Sequence, residues 1–455
     1  MNLPATPAEA VARIAAAVPA HVRAVCERLT AAGHQTVTVG GAVRDALIGR
    51  IPGDWDVATS ARPEAVMALF KRTVPTGIQH GTVTIVTGHG EASHVEVTTF
   101  RGEGAYTDAR RPDHVTFGVP LVEDLARRDL RVNAMAFDPA TGSLIDPYEG
   151  QRDLAEGLLR AVGPTGDVYA DAVARFTEDG LRVMRAVRFA AVLEIPLDPE
   201  TVRGIGPALP SLTRVSRERV SDELRKLLAT RQPSLGLRIA HASGIVRSIA
   251  PALADGLDAS GLDANGLDAN APVAAWAERV DRVTLDEASG GGVATRLGAL
   301  WLDLGGRGPA RRLDRALVKR ANDQLKALKF SNEEAARAAV IVGTAGPVHV
   351  AAWTERDARL LLADVGRGHA RAAALVWRAA GALELADHAD AILARGDALA
   401  TSELAVTGGD LMTALALAPG PGLGKLLAAL TARVLDEPAL NTRDALIAAA
   451  RAASA

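Results

Sequence analysis

Residues 39–56, VGGAVRDALIGRIPGDWD, constrain the fold more than any other stretch of this chain. An apolar run at 37–39 ends in Gly40 and Gly41, and a short amphipathic segment, 42–48, predicts a helix. Glycines at such a junction let backbone N–H groups come close to a phosphate. A turn at 51–53 leads to Asp54 and Asp56, followed by the β-prone Val57. On a strand, positions i and i+2 point the same way, so both carboxylates are expected on one face. Two carboxylates there, near a triphosphate at a helix N-terminus, suit a pair of magnesium ions and in-line phosphoryl or nucleotidyl transfer. An isolated Asp-x-Asp also occurs in solvated turns, so the surrounding elements decide.

A chain of 455 residues has room for about two to four domains. Hydrophobic residues make up 48% but aromatics only 3%, and alanine and leucine abound, which predicts a mostly helical bulk. No apolar run reaches spanning length, and the first residues lack a basic-then-apolar pattern, so a cytoplasmic protein without a membrane partner is expected. Cys26 is the single cysteine, which excludes internal disulfides and multi-cysteine zinc sites. Its helical setting predicts an ordinary buried hydrophobe rather than a nucleophile. The net charge of −3 does not advertise nucleic-acid binding, so local basic clusters matter more.

Along the chain, residues 7–32 read as an amphipathic helix, 63–70 as helical, and 81–87 and 94–99 as short strands. Strand signals then nearly vanish, and helical patterns fill 177–193, 216–229 and 234–243. The expected fold class is α+β: a head with a small sheet at 1–155, then an all-α neck and body at 156–254. Residues 255–272, DGLDASGLDANGLDANAP, predict a flexible linker, and 273–455 a helical tail.

Three further motifs follow the aspartates: ARRDLRVNAM at 126–135, DPYEGQRDL at 146–154, and EDGLRVMRAVRF at 178–189. In the last, Asp179 and Arg182 are three apart on a predicted helix and share a face, which Arg185 and Arg188 continue. A carboxylate accepts from an exocyclic amine and a guanidinium donates to a ring nitrogen. The pair therefore matches cytosine N4 and N3 or adenine N6 and N1, whereas uracil and guanine present the opposite pattern. Wrong bases would leave buried polar groups unpaired. Glu96, in HVEVTTF, is either a third carboxylate across the sheet from the aspartates or a structural glutamate.

With these motifs in order, residues 37–228 resemble the class II tRNA nucleotidyltransferases, the CCA-adding enzymes, and their bacterial poly(A) polymerase relatives. The resemblance implies a polymerase-β-like head and template-independent addition of CCA to the tRNA 3′ end from CTP and ATP, with pyrophosphate released. Poly(A) addition, or addition of the two cytidines or the adenosine alone, is the alternative. It further implies that Asp54 and Asp56 bind catalytic Mg2+, that Gly41 and Arg44 touch the nucleotide phosphates, and that Arg128 and Asp129 read the ribose. The family usually has Phe-Thr after that aspartate, where this chain has Leu130 and Arg131, and proline or alanine in place of Gly180. Residues 146–154 would act as a springy junction, and the helix at 216–228 would brace the neck.

Many relatives append a histidine–aspartate phosphohydrolase domain. The matching stretch here, RLGALWLDLGG at 296–306, has Leu302 where the histidine would stand, so the fold is expected to persist without that chemistry. At 310–330, Arg311, Arg315 and Lys319 would share one helical face, either gripping tRNA phosphates or simply solvated. PGPGLGK at 419–425 imitates a phosphate loop, but its glycine spacing is short and no strand precedes it, so it is read as a helix connection.

Overall fold

The computed structural model describes residues 3–88, 90, 94–103, 115–259, 275–306 and 308–454. They fall into two compact units: Met1–Leu227 with Leu235–Ser248, and a second comprising Leu228–Ser234 and most of the chain from Ile249 onward.

The first unit is built on a seven-stranded mixed sheet. Its strands are β1 (Thr36–Val39), β2 (Asp56–Thr59), β3 (Thr73–Gly77), β4 (Thr82–Val86) and β5 (His94–Thr99). A separate ribbon is formed by β6 (Arg101–Glu103) and β7 (Val115–Phe117), and β8 (Ala136–Asp138) and β9 (Ser143–Ile145) complete the sheet. The order is β3-β4-β5-β2-β1-β8-β9, with β2 and β5 parallel and the other pairs antiparallel. Val37, Val39, Ala58, Phe100, Leu125 and Ala136 share one buried cluster. Alternation along β5, His94 out and Val95 in, Glu96 out and Val97 in, leaves the polar set on the open side.

The helix expected over 7–32 is two, Pro7–Ala17 and Ala20–Ala31, because Pro19 cannot continue the first. Cys26 is buried on the second, and burial, with Asp138 and Glu27 adding to it, pushes its thiol up to about 12. The pattern at 177–193 also divides, into Val168–Glu178 and Leu181–Leu193.

The second unit is helical. Its expected linker begins as ordered helix: Pro251–Ala259 buries Leu253 and Leu257, one turn apart, and the backbone of Asp303 lies against Gly256. Leu257, the first leucine of the repeat, is thus buried on the same helix face as Leu253, which precedes the linker, so 255–259 are helix where a flexible linker was expected. Residues 260–272 of that linker lie outside the described residues. Further on, Trp353, Leu361, Leu362, Trp377 and Ile392 form one core and Leu411, Leu430, Val434 and Leu446 another. Among the described residues no helix is long and apolar enough to cross a membrane.

Candidate active site

A cleft of about 730 Å³ opens in the first unit, floored by the sheet and walled by the start of the Leu181–Leu193 helix. The register that pairs Val57 with Val97 and Ala58 with Thr98 sets Asp56 beside Glu96, and both line the cleft. Loss of surrounding water raises the Asp56 carboxyl; Arg128 opposes the rise, while Glu96 and Asp54 add to it. Asp54 is placed otherwise than expected. Strand β2 begins at Asp56, so Asp54 belongs to the preceding loop, is exposed, and is not among the described residues that line the cleft.

Among the described residues no three His, Cys, Asp or Glu side chains converge on one metal position. What the chain offers is two adjacent strand carboxylates with a third nearby. That donor set fits magnesium, which holds protein through one or two carboxylates and fills its octahedron with substrate phosphates and water.

The helix Gly41–Leu47 points its N-terminus at this cleft, with Gly41 in the lining. Gly40 has φ +79, and a Cβ there would stand 2.7 Å from Arg128 Nη1, so only glycine lets Arg128 lie across the turn. Arg44, expected on the phosphates, is buried and engaged elsewhere. It pairs with Asp45 at 2.8 Å, donates to Asn133 Oδ1, and stacks 5.3 Å from the Phe189 ring centre. It does not line the cleft.

Arg128 and Asp129 both do. Arg128 donates to the Asn133 carbonyl at 3.4 Å and sits 3.8 Å from Asp124. Asp129 is buried and takes three hydrogen bonds, from Leu130 N at 2.8 Å and Asn133 Nδ2 at 2.9 Å on Oδ1 and from Arg185 Nε at 2.7 Å on Oδ2, and it is ion-paired with Arg185 Nη2 at 2.7 Å. Burial alone would raise its carboxyl, but the Arg185 charge and these bonds outweigh that and hold it well below the usual range.

Asp179 and Arg182 meet in the cleft, though not as two residues of one helix. The helix begins at Leu181, and Asp179 stands before it, accepting from Leu181 N at 3.0 Å in the manner of a cap. Arg182 Nη1 donates to Glu178 Oε2 at 2.6 Å and to the Arg175 carbonyl at 3.0 Å. Between them Gly180 admits no side chain: a Cβ would lie 2.3 Å from Ser211 C and Leu212 N. Arg185 continues the wall, but Arg188 leaves it, turning to Glu223 at 2.6 Å and lying over Phe189.

Three known families match stretches of the chain. The poly A polymerase head domain family matches residues 36–160, a probable RNA-binding and SrmB-binding region of polymerase A matches 195–257, and a tRNA nucleotidyltransferase domain 2 matches 316–450. The CCA-adding enzyme of Lactiplantibacillus plantarum is 35% identical over 440 residues, covering 94% of each chain. The chain belongs to the CCA-adding enzymes. The CCA-adding enzyme of Lactococcus lactis is 44% identical over 231 residues, 51% of this chain and 56% of that one. Among solved structures, the Bacillus stearothermophilus CCA-adding enzyme in complex with CTP superposes with TM-score 0.68 at 29% identity, covering 95% of this chain and 97% of that one. A Thermotoga maritima CCA-adding enzyme complexed with tRNA shares the fold at TM-score 0.66 and 17% identity, covering 98% of each. CCA-adding enzymes are nucleotidyltransferases that generally use divalent metals.

For a CCA-adding enzyme the cleft holds residues that motif reading passes over. Arg219 lies in the helix Arg217–Leu228, expected only to brace the neck, yet it lines the cleft and its Nη2 reaches Asp179 Oδ2 at 3.3 Å. Asn133, Arg101, Arg127 and Asp124 also line it. Asn133 stands out in the sequence as an amide inside an apolar stretch; Arg219 carries no such signal, being one of several charges on an amphipathic helix.

The tail departs from expectation at Arg311 and at 419–425, where the segment read as a helix connection already enters the helix Pro421–Asp436 at Pro421. The helix expected at 310–330 runs Arg315–Ala327 and is capped by Asp314, so Arg311 precedes it rather than sharing its face. Arg311 pairs with Asp357 at 3.0 Å and lies over Trp353, and Lys319 pairs with Asp323 at 2.9 Å. Arg315, Lys319 and Lys326 rim a shallow depression of about 460 Å³. Leu302 is buried, and Asp303 is ion-paired with Arg279.

Proposed function

We infer that the chain completes tRNA 3′ ends with CMP, CMP and AMP from CTP and ATP through this cleft, releasing pyrophosphate. What carries the reading is the meeting of Asp179 and Arg182 with Asp56 and Glu96 in one cavity, so that base choice and phosphoryl chemistry share a nucleotide's length. The CCA-adding relatives bound to CTP and to tRNA support the same substrates.

Asp56 and Glu96, with Asp54 nearby, would hold Mg2+; that ion supplies charge neutralisation at the transferred phosphoryl group and a lowered pKa for the attacking 3′-hydroxyl. Gly40 and Gly41 present the helix N-terminus to the phosphates. Arg128, drawn toward Asp56 by charge and crossing Gly40, is placed to meet the ribose and phosphates. Asp179 accepts from N4 of cytosine or N6 of adenine, and Arg182 donates to N3 or N1. Glu178 bridges Arg175 and Arg182 at 2.7 and 2.6 Å and keeps that guanidinium from swinging. In this division of labour residues 1–155 do the chemistry, 156–254 select the base, and the tail, through Arg315 and Lys319, holds RNA. The setting is the cytoplasm, where tRNA is processed.

The test uses tRNAs lacking three, two or one terminal nucleotides, with each nucleoside triphosphate alone. Two cytidines followed by one adenosine is the expected product; AMP alone in long runs would make the chain a poly(A) polymerase instead. Replacing Asp54 and Asp56 together by alanine should lower incorporation by about a thousandfold or more while tRNA binding persists.

A further inference from the structure

We propose that Asn133 is a positioning residue for the bound nucleotide: it fixes Asp129, and through it Arg185, at the cleft wall. The inference rests on the cleft being the nucleotide site.

Asn133 closes a short turn, Arg131–Asn133, and is only 5% exposed while still lining the cleft. Its amide has one donor and one acceptor end, and each has a partner of the opposite kind. Nδ2 donates to Asp129 Oδ1 at 2.9 Å, and Oδ1 accepts from Arg44 Nη1. Guanidinium groups only donate and carboxylates only accept, so the amide's orientation follows from chemistry. An aspartate in its place would satisfy Arg44 but set two buried carboxylates against each other.

Asp129 is thereby oriented. A carboxylate offers about four lone-pair sites; Leu130 N and Asn133 Nδ2 take those of Oδ1, and Arg185 Nε takes one on Oδ2. One lone pair of Oδ2 is left for a ribose hydroxyl. The expected ribose contact of Asp129 then depends on Asn133: the 2′-hydroxyl, which both donates and accepts, meets a carboxylate and a guanidinium that Asn133 holds in register. The relay also closes on itself. Arg44 and Arg185, its two ends, lie 5.3 and 5.4 Å from the centre of the same Phe189 ring. The helix after Gly40 and the helix carrying Arg182 are thus joined through one buried amide.

The experiment compares Asn133→Asp, Arg185→Lys and the double variant in full-length enzyme, measuring CTP and dCTP incorporation into tRNA lacking its last three nucleotides. Asn133→Asp should raise KM for CTP about tenfold with kcat nearly unchanged, and lower the preference for CTP over dCTP about tenfold. Arg185→Lys, which keeps the charge but loses the planar guanidinium and its Nε–H bond to Asp129, should do the same. The double variant should add little beyond either single change, because both break one path. A purely structural asparagine would instead lower kcat through a smaller active fraction and leave KM and sugar preference alone. KM and sugar preference within about twofold of wild type in both variants would overturn the proposal. Should Asn133→Asp fail to fold, Arg185→Lys decides alone. Wild-type enzyme that incorporates no CTP would remove the reading of the cleft itself, a different outcome from an inert variant.

Discussion

Three hydrogen bonds and the Arg185 charge on the buried Asp129 carboxylate give the first unit an acid-sensitive component of stability. Its carboxyl is held below the usual value of about 3.9, so the unfolded chain binds its proton more readily than the folded one. The stabilisation is complete above that value and fades as pH falls below it. Wild type should therefore lose more of its urea midpoint between pH 6 and pH 3.5 than Asp129→Asn does; equal losses would show that Asp129 contributes no pH dependence. Arg219→Ala tests another carboxylate. Asp179 Oδ2 would lose its 3.3 Å partner, and the CTP over UTP preference in kcat/KM should fall about tenfold, with unchanged discrimination assigning Arg219 to packing alone. At this scale the sequence shows which side chains carry the chemistry but not which are already occupied. Arg44 reads as a ligand from the family resemblance and Arg188 from its spacing, yet Asp45, Asn133 and Glu223 hold them. Asp129 and Arg185 are 56 positions apart, and no periodicity links them.

The elements that matter most begin or end within two residues of a reactive group. Strand β2 starts at Asp56, which is why Asp54 escapes the same-face argument, and the helical pattern at 177–193 breaks at Asp179–Gly180. Propensity places elements well and their ends poorly, because ends are decided by packing partners elsewhere in the chain. Here the partner is the end of the Ile205–Leu212 helix, whose backbone sits where a Cβ of residue 180 would go. Gly180→Ala should cost about 1–3 kcal/mol of stability by overpacking. It should also displace Asp179 enough to weaken CTP over UTP discrimination, as measured by chemical unfolding and single-nucleotide incorporation. An alanine variant as stable and selective as wild type would mean that the loop after this helix yields freely.

Over the whole chain, the α+β head and helical remainder follow from where β-prone alternation stops, and that boundary is plain in the sequence. The linker was harder to read: its first residues, 255–259, continue a helix that starts at Pro251, and Leu257 is buried on the same face as Leu253. The part in RNA binding proposed for the second unit is a matter of charge and salt. Reversing Arg315 and Lys319 to glutamate should weaken tRNA binding and lower the slope of log affinity against log salt by about one per lost phosphate contact. An unaltered slope would place the RNA grip elsewhere. Cys26 carries a consequence of a practical kind. With one thiol in the chain, buried and pushed up to about 12, the native protein is nearly silent toward maleimides at neutral pH. A cysteine introduced on each of the two units would then be the sole labelled position, and a pair of dyes could follow the distance between them through each nucleotide added.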